Sequence, residues 1–266
     1  MNAMPRKLDF LTELETIQRQ GLFKVLLIGD SCIDQYVYGT CDRINPEAPV
    51  PILKYVRQEQ VDGMALNVRN NLQSFGIEVH TITQKEKIYK TRYIDERYSQ
   101  QILRVDTEGD IEPLGYDLPQ EDFDALIISD YDKGFITSKR LFELVEWFDG
   151  PIFIDSKKSR LPLDNAYVKI NNYEYEKLED KDHPNLIVTQ GSKGAMYRGK
   201  LYPGEVVSTY DVCGAGDTFL SALVFFFLFY GKIEDAIPNA NKAASIAVSN
   251  FGTYILNIED INEILY

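Results

Sequence analysis

The sequence predicts an α/β fold built around a mostly parallel sheet. Short apolar runs, typical of strands that are covered on both faces, occupy residues 24–29, 125–129, 151–155, 166–170 and 185–189. Segments with helical character lie between them, over residues 137–148 and 171–180. Because strands that alternate with helices form parallel sheets, this pattern favours a parallel sheet covered by helices.

A second pattern, that of exposed or edge strands, occupies residues 35–60 and 88–106. There polar and apolar residues alternate in short runs that Pro and Gly separate. A small β-sheet that projects from the α/β body accounts for this pattern. The sequence shows no internal repeat, low-complexity tract or linker. We therefore expect residues 1–266 to form one domain that carries this β lid.

The charge and cysteine content argue against several classes of partner and site. The chain has 28 basic and 41 acidic residues and a net charge of -13, so its surface repels nucleic acid and anionic membranes. Cys32, Cys41 and Cys213 have no C-x-x-C spacing, which argues against a disulfide framework or a structural zinc site. Free thiols are typical of a reducing compartment, so we expect a cytoplasmic protein.

The apolar segments predict no membrane partner. The N-terminal stretch lacks the apolar core of a secretory signal and instead spaces Leu8, Leu11, Leu14 and Ile17 along one face of a helix. The most apolar run, residues 219–230, is 12 residues long, whereas a membrane span needs about 20 residues. We therefore interpret this run as a buried helix of a soluble protein.

The strongest chemical motif is D-V-C-G-A-G-D-T-F, at residues 211–219. Gly214 and Gly216 permit conformations and close approaches that a β-carbon would block. A long helix is predicted to begin near Asp217–Thr218, leaving unpaired N–H groups at a turn that attracts anions. Asp217 lies in that turn, where it can accept a proton from a hydroxyl group. On spacing alone, a tight turn with Asp217 as a helix cap is an equally good interpretation.

This motif resembles the C-terminal signature of the ribokinase-like (PfkB) carbohydrate kinases. Residues 25–56 are similar to the opening of the bacterial heptose-7-phosphate kinases of that family. Further matching segments follow in the same order at residues 90–94, 100–106, 128–137, 154–160, 171–176, 188–195 and 239–248. The resemblance runs from about residue 23 to residue 255. It implies a ribokinase-like three-layer sandwich with a small β-sheet lid, and an ATP-dependent sugar kinase that uses Mg²⁺.

The resemblance also implies roles for the residues that handle the nucleotide. Asp217 would be the catalytic base, and the amides of Gly214, Ala215 and Gly216 would form an anion hole for the γ-phosphate. The family's N-x-x-E motif, which organises the Mg²⁺–phosphate region, falls on Asn171 and Glu174, with Glu174 acting on the metal indirectly. The other nucleotide-binding residues that the resemblance implies are Thr189, Gly191, Gly194, Lys157 and Asn241.

Each of these assignments has an alternative that the residues alone support. Asn171 and Glu174 fit a helix N-cap with a polar residue at N3. Residues 189–194 fit the turn of a β-hairpin. Lys157 fits an ordinary solvated lysine. For Asn241 the resemblance implies only that it lies on a helix lining the adenine pocket.

On the sugar side, the resemblance implies contacts from residues in the N-terminal half. Asp34 and Asn67 would bond sugar hydroxyls, since a short carboxylate and a short amide can each hold two of them. Gly63 would be the remaining glycine of a lid hinge. Lys90, Arg92 and Arg104 are candidates for gripping a sugar phosphate, and ordinary exposed strand charges are an equally good interpretation of these three.

The sequence departs from the family pattern at three places. Where the family has a Gly-Gly pair, this chain reads Asp62, Gly63 and Met64, which makes a positive φ there unexpected and predicts a narrower sugar pocket. Between Asn67 and residue 90 a strand–helix–strand unit of the family is missing, so we expect an exposed sheet edge that dimerisation could cover. The third departure is Cys213, which replaces a common Thr.

The leading hypothesis is a kinase that phosphorylates the anomeric hydroxyl of a heptose 7-phosphate or similar sugar phosphate. The shortened segment motivates an alternative: a non-catalytic descendant that binds a nucleotide or sugar, or serves as a partner subunit. A nucleoside kinase of the same fold is a third hypothesis. The expected partners are therefore a small sugar or sugar phosphate, with no nucleic acid and no membrane. The resemblance also implies a homodimer that forms through the β lid.

Overall fold

The computed structural model describes residues 23–208 and 210–265. The helix face predicted from Leu8, Leu11, Leu14 and Ile17 lies outside the described residues. In chain order, the strands are β1 Lys24–Gly29, β2 Ser31–Thr40, β3 Lys54–Met64, β4 Glu78–Thr83, β5 Tyr89–Asp95, β6 Gln100–Thr107, β7 Ala125–Asp130, β8 Ile152–Ser156, β9 Tyr167–Asn171, β10 Leu186–Thr189, β11 Ala195–Tyr197 and β12 Lys200–Tyr202. The α-helices are α1 Ala65–Ser74, α2 Ser138–Trp147, α3 Asn172–Lys177, α4 Ala215–Tyr230, α5 Ile233–Val248 and α6 Ile258–Leu265.

The larger sheet has eight strands in the order β12-β11-β10-β9-β8-β7-β1-β4. All pairs from β4 to β10 are parallel, and the hairpin strands β11 and β12 add antiparallel pairs at one end. The five apolar runs predicted as strands correspond to β1, β7, β8, β9 and β10, with boundaries that differ by at most one residue. The prediction of a mostly parallel α/β sheet is confirmed.

Helices cover both faces of this sheet, so the body has three layers. The alternation along β1 shows why. Val25 and Leu27 point into a core formed with α1, α4, α5 and α6, whereas Leu26 and Ile28 point into a second core formed with α2. Because side chains alternate along a strand, a strand buried on both faces must be apolar throughout.

The apolar run at residues 219–230 forms most of α4, as predicted. Phe225 and Phe226 of this helix pack against Phe75, with ring centroids 4.7 Å and 5.9 Å apart. The helix ends at Gly231, whose φ of 71° provides the left-handed cap that glycine adopts at little cost. Among the helices of the described residues, none combines the length and apolar character needed to cross a bilayer.

The smaller sheet forms the predicted lid, in the strand order β3-β2-β5-β6. Most of β3 and β6 is exposed, as expected of strands that project from the body. The lid is anchored next to the core because β2 follows β1 after one residue and β3 leads directly into α1. The end of the lid where β2 starts and β3 finishes therefore lies at the same edge of the main sheet as the carboxyl end of β1.

Among the described residues, β4 is the outermost strand at this end of the main sheet, paired in parallel with β1. This is the sheet edge that the missing unit predicts. At the carboxyl ends of the parallel strands, polar residues follow one another from strand to strand. They are Asp30 after β1, Asp130 and Tyr131 at β7, Lys157 after β8 and Asn171 at β9. Ligands of open α/β sheets bind at this edge.

Candidate active site

The glycine-rich turn at residues 214–216 opens α4. Gly214 is the N-cap residue and has a φ of 73°, which favours glycine. The helix begins at Ala215, two residues earlier than the sequence predicted, because this left-handed residue already aligns the chain for helix. Asp217 is therefore the third helical residue and not the cap. The amides of the first turn lack partners one turn back, although the Ala215 amide makes a long 3.4 Å contact to the Val212 carbonyl.

Asp217 is buried at this turn and held from two sides. Asp217 is 3% exposed. Asn67 donates from Nδ2 to Oδ2 at 3.0 Å, and the Tyr131 hydroxyl donates to Oδ1 at 2.8 Å. Burial raises the pKa of Asp217 to about 6, although the hydrogen bonds from Asn67 and Tyr131 oppose that rise. The carboxylate is thus fixed in position and tuned towards accepting a proton near neutral pH.

A buried ion pair lies behind the turn. The Lys169 Nζ is 2.6 Å from the Asp155 Oδ2. A β-carbon built on Gly216 would lie 2.8 Å from that Nζ, so the lysine occupies the space next to this glycine. The first turn of α4 therefore contains the carboxylate of Asp217, and the ammonium of Lys169 lies behind Gly216.

A cleft of about 180 Å³ opens beside the turn. It lies between the β10–β11 hairpin, the loop after β12 and helices α4 and α5. The residues of the predicted nucleotide site that line it are Thr189, Gly191, Gly194, Ala215, Gly216 and Asn241. The structure therefore brings together residues that lie as far as 52 positions apart, from residue 189 to residue 241.

Two residues of this cleft also have structural roles. Gly194 has a φ of 96°, and a β-carbon there would lie 2.1 Å from the Tyr202 carbonyl oxygen, so the β10–β11 hairpin requires glycine at this position. The hairpin proposed as the alternative interpretation is present. Asn241 donates from Nδ2 to the Tyr202 carbonyl at 2.8 Å and so positions the loop that forms one wall of the cleft.

Asn171 and Glu174 form a capping box at the start of α3. The Asn171 Oδ1 accepts from the Glu174 amide at 2.9 Å, and the Glu174 Oε2 accepts from the Asn171 amide at 2.8 Å. The other oxygen of Glu174 pairs with the Lys157 Nζ at 3.1 Å. Lys157 is thus an ion-pair partner whose Nζ also lies 4.6 Å from the centroid of the Tyr131 ring. None of these three residues lines the cleft.

The predicted sugar-side residues divide into two groups. Asp34 and Arg92 form a buried ion pair with each other through Asp34 Oδ1 and Arg92 Nη1. Lys90 reaches the same region, since its Nζ lies 5.1 Å from the centroid of the Tyr131 ring. Arg104 does not join them: its side chain is half exposed and pairs with Asp106 on the lid. For Arg104, the structure matches the alternative of an ordinary strand charge.

At the position of the expected di-glycine, the backbone of Met64 adopts a conformation that favours glycine. Met64 has φ 57° and ψ −130°, a region that favours glycine, although its side chain is buried. A positive φ at this point was unexpected from the sequence, and the packing of Met64 with Cys32 and Ile88 accounts for it. Gly63 is needed next to it, because a β-carbon there would lie 2.2 Å from Asp34 Oδ2 and 2.6 Å from Cys32 Sγ.

Comparisons with known proteins indicate the family to which the chain is similar. A family model described as pfkB family carbohydrate kinase matches residues 173–260. The bifunctional protein HldE of a Nitratiruptor species is 30% identical over 297 aligned residues, which cover 90% of this chain. The HldE protein of Campylobacter jejuni subsp. jejuni serotype O:2 is 29% identical and also covers 90% of the chain. The chain therefore carries a PfkB-type carbohydrate kinase domain.

Solved structures of PfkB-type kinases share the fold. Phosphofructokinase-2 from Escherichia coli in complex with potassium matches with a TM-score of 0.69 at 16% identity, covering 92% of this chain and 98% of that one. Ribokinase from Thermotoga maritima matches with a TM-score of 0.66 at 15% identity, covering 92% and 99%. Arabidopsis thaliana ribokinase complexed with ribose and ATP matches with a TM-score of 0.62 at 14% identity, covering 91% and 98%. The predicted ribokinase-like fold is confirmed.

The curated relatives are longer than the PfkB domain described above. The chain spans 64% of the length of each of the two HldE proteins. The similarity to PfkB carbohydrate kinases supports the predicted class of enzyme, a carbohydrate kinase.

Three residues that lie next to Asp217 or the turn at Gly216 were not singled out from the sequence. They are Tyr131, Asp155 and Lys169. Tyr131 and Asp155 lie in segments 128–137 and 154–160, which match the family, so the match alone could have drawn attention to them. Lys169 lies within an apolar run and gave no signal beyond its being a charge inside a buried strand.

Asp30 supports Tyr131 from the end of β1. Its Oδ2 accepts the Tyr131 amide at 2.7 Å and the Lys133 amide at 3.3 Å. Burial raises the pKa of Asp30, and the nearby Asp130 raises it further. By holding the backbone of this loop, Asp30 fixes the position from which the Tyr131 hydroxyl reaches Asp217.

Proposed function

We propose that this chain transfers the γ-phosphoryl group of ATP to the anomeric hydroxyl of a sugar phosphate of the heptose 7-phosphate type. The observation that carries the proposal is the buried Asp217, held by Asn67 and Tyr131 in the first turn of α4 and next to the cleft. The resemblance of residues 25–56 to heptose-7-phosphate kinases, together with the HldE relatives, supports the acceptor class.

The chemistry requires a base, an anion site and an acceptor held in line. Asp217 accepts the proton of the sugar hydroxyl as its oxygen bonds to the γ-phosphorus. The bond from that phosphorus to the oxygen bridging it to the β-phosphate breaks, and ADP leaves. A carboxylate with a pKa of about 6 is mostly ionised at neutral pH and is still basic enough to take the proton. The amides at the start of α4 meet the charge that develops on the phosphoryl oxygens.

The cleft is where we place the nucleotide. Its wall combines apolar residues with glycines that admit close approach of phosphates to the backbone. Asn241 fixes the loop on one side of it, and Gly194 fixes the hairpin on the other. ATP would lie with its phosphates towards Gly216 and its base between α5 and the loop after β12.

Magnesium would screen the phosphate charges and draw electron density from the transferred group. Among the described residues, no group of three or more His, Cys, Asp or Glu side chains could hold a metal ion. This fits a cation held mainly by substrate phosphates and water, as Mg²⁺ commonly is. Both Glu174 oxygens have partners in the Asn171 amide and Lys157. We therefore expect Glu174 to act on the metal through water.

The acceptor would lie under the lid, between Asp217 and the Asp34–Arg92 pair. Lys90 and Arg92 are the cations we assign to its phosphate, and Asp34 and Asn67 the groups we assign to its hydroxyls. Since Asp34 and Arg92 now bind each other, sugar binding has to compete with this ion pair. That competition is the observation that favours the alternative function, a descendant that binds nucleotide without phosphorylating a sugar.

The decisive experiment measures ADP release with ATP and Mg²⁺ across a panel of sugar phosphates that includes D-glycero-D-manno-heptose 7-phosphate. Sugar-dependent release that disappears in Asp217→Asn supports the kinase. A parallel thermal-shift assay detects ligands that bind the native state. A melting shift with ATP and Mg²⁺, without ADP release for any sugar, contradicts the kinase and supports the binding protein.

We also propose that the chain forms a homodimer through the β lid, in the cytoplasm. The exposed apolar side chains of the lid strands, among them Tyr55, Val56 and Leu103, support a contact there. Light scattering at micromolar concentration tests the assembly. A monomeric mass removes the proposal, and a dimer that Leu103→Lys dissociates supports it.

A further inference from the structure

A buried ammonium lies directly behind the first turn of α4. Lys169, on β9, is 4% exposed, and its neighbour across the sheet is Asp155 on β8. The Lys169 Nζ lies 2.6 Å from Asp155 Oδ2 and 2.8 Å from the position that a β-carbon on Gly216 would take. Because Gly216 has no side chain, the ammonium faces the backbone of the turn without an intervening group.

The ammonium has more donors than its protein contacts use. A lysine carries three N–H donors. In the described part of the chain, Lys169 makes one hydrogen bond, to Asp155. Buried charged donors are normally matched by acceptors, because an unmatched one is costly. The remaining donors are therefore available to an anion that binds at the turn.

The charges around Lys169 keep it protonated. Burial favours the neutral amine, but the contact with Asp155 outweighs it, so the pKa of Lys169 is raised. Asp217 and Glu174 both contribute to that rise, which means that the ammonium lies within electrostatic range of both. The ammonium is thus near both the base and the N-x-x-E motif.

We propose that Lys169 is a further catalytic residue of this kinase, one that binds the transferred phosphoryl group past the bare α-carbon of Gly216. The inference rests on the proposed function for its substrate. Asp155 holds the ammonium in place, and the first-turn amides bind the same group from the other side. The positive charge of Lys169 opposes the growing negative charge on the phosphoryl oxygens. In a protein with a net charge of -13, such a fixed cation is needed to hold a phosphate there.

The test compares Lys169→Met with Lys158→Met. Lys158 is a suitable control because its side chain is also buried and pairs with a buried carboxylate, that of Asp130 at 2.9 Å. Calorimetry with Mg²⁺ measures the affinities for ADP and for a non-hydrolysable ATP analogue. We expect Lys169→Met to weaken the analogue about tenfold more than ADP. Lys158→Met should leave the ratio of the two affinities unchanged.

Turnover gives a second readout. In Lys169→Met, kcat should fall by about 10²–10³-fold while the KM of the sugar is unchanged, as when a donor to the transition state is removed. If the unmatched Asp155 prevents folding, the double variant Lys169→Met/Asp155→Asn removes both charges, and it should fold and bind ADP but not prefer the analogue. An affinity ratio in Lys169→Met and in the double variant equal to that of the wild type overturns the proposal. Because binding is measured without sugar, this result is separable from a wild type that fails to turn over.

Discussion

The Tyr131 hydroxyl donates a hydrogen bond to Oδ1 of Asp217 at 2.8 Å, across 86 residues of sequence. Tyr131 comes from the end of β7, where Asp30 holds its backbone, and Asp217 from the first turn of α4. The burial of Asp217 favours its protonated form, and this bond favours the ionised form. The pair thus sets how basic the carboxylate is at neutral pH.

Tyr131→Phe is expected to raise the pKa of Asp217, because it removes a donor that stabilises the carboxylate. A base works when deprotonated, so wild-type kcat/KM should rise with pH through about 6. In the variant, the acidic limb of the profile should move upward by about one pH unit. A pH profile of kcat/KM measures this. Tyr98→Phe, at an exposed tyrosine of the lid, should leave the profile in place, and an unmoved limb in Tyr131→Phe contradicts the assignment.

Asp217→Asn is expected to abolish turnover and to stabilise the fold at neutral pH. The folded-state pKa of about 6 lies above the ordinary 3.8, so the native protein retains a proton that the unfolded chain has released. The free energy of unfolding therefore falls as pH rises from about 4 to about 6, by about 3 kcal/mol in all. Asparagine carries no charge and avoids this loss.

Urea unfolding at pH 4 and at pH 7 checks the prediction. The variant and the wild type should be alike at pH 4, and the variant should be the more stable at pH 7. Asp117→Asn, at an exposed aspartate, serves as the control. If Asp217→Asn lowers stability at pH 7, the burial cost assigned to the carboxylate is wrong. If the variant retains full turnover, Asp217 is not the base.

The strands of the main sheet could be predicted because each is a short run of apolar residues, a pattern that indicates a buried strand. Residues 125–129, for example, are apolar except for the last and are buried on both faces. The start of α4 was predicted less accurately than the strands. Gly214 caps the helix in a left-handed conformation, which the amino-acid sequence alone does not reveal. Propensity and periodicity report on runs of residues, whereas a cap depends on one dihedral angle.

The site could be predicted only where one segment carries its own chemistry. The turn at residues 214–217 and the hairpin at residues 189–194 are each a single continuous segment of the sequence. Both border the cleft. The contact of Lys169 with Gly216 depends instead on strand order and register, which bring β8 and β9 beneath α4. The pairing of Asp34 with Arg92 likewise follows from the parallel pairing of β2 with β5. Such relationships belong to the folded sheet.

Arg92→Met is expected to destabilise the fold strongly, because it leaves the carboxylate of Asp34 buried without its partner. Both side chains are 8% exposed, and breaking such a pair costs about 3–5 kcal/mol. Arg104→Met, one strand away and half exposed, should cost about 1 kcal/mol or less. Urea unfolding of both variants measures the difference. Equal effects would mean that the Asp34–Arg92 pair is solvated in solution.

The backbone of Met64 lies in a region that favours glycine. Its φ of 57° and ψ of −130° strain any residue with a β-carbon, at a cost of about 1–3 kcal/mol, whereas glycine adopts them freely. Its side chain, packed against Cys32 and Ile88, offsets that strain. Removing the side chain in Met64→Ala keeps the strain and loses the packing, so this variant should be destabilised by about 2–5 kcal/mol.

Met64→Gly loses the same packing but also relieves the strain. It should therefore be more stable than Met64→Ala by about 1 kcal/mol, the reverse of the order found in ordinary helices and strands. Urea unfolding of the two variants gives this difference directly, because the cavity left by the side chain is nearly the same in both. If the alanine variant is the more stable, residue 64 has ordinary φ and ψ angles, and the backbone of the lid hinge differs from the one described here.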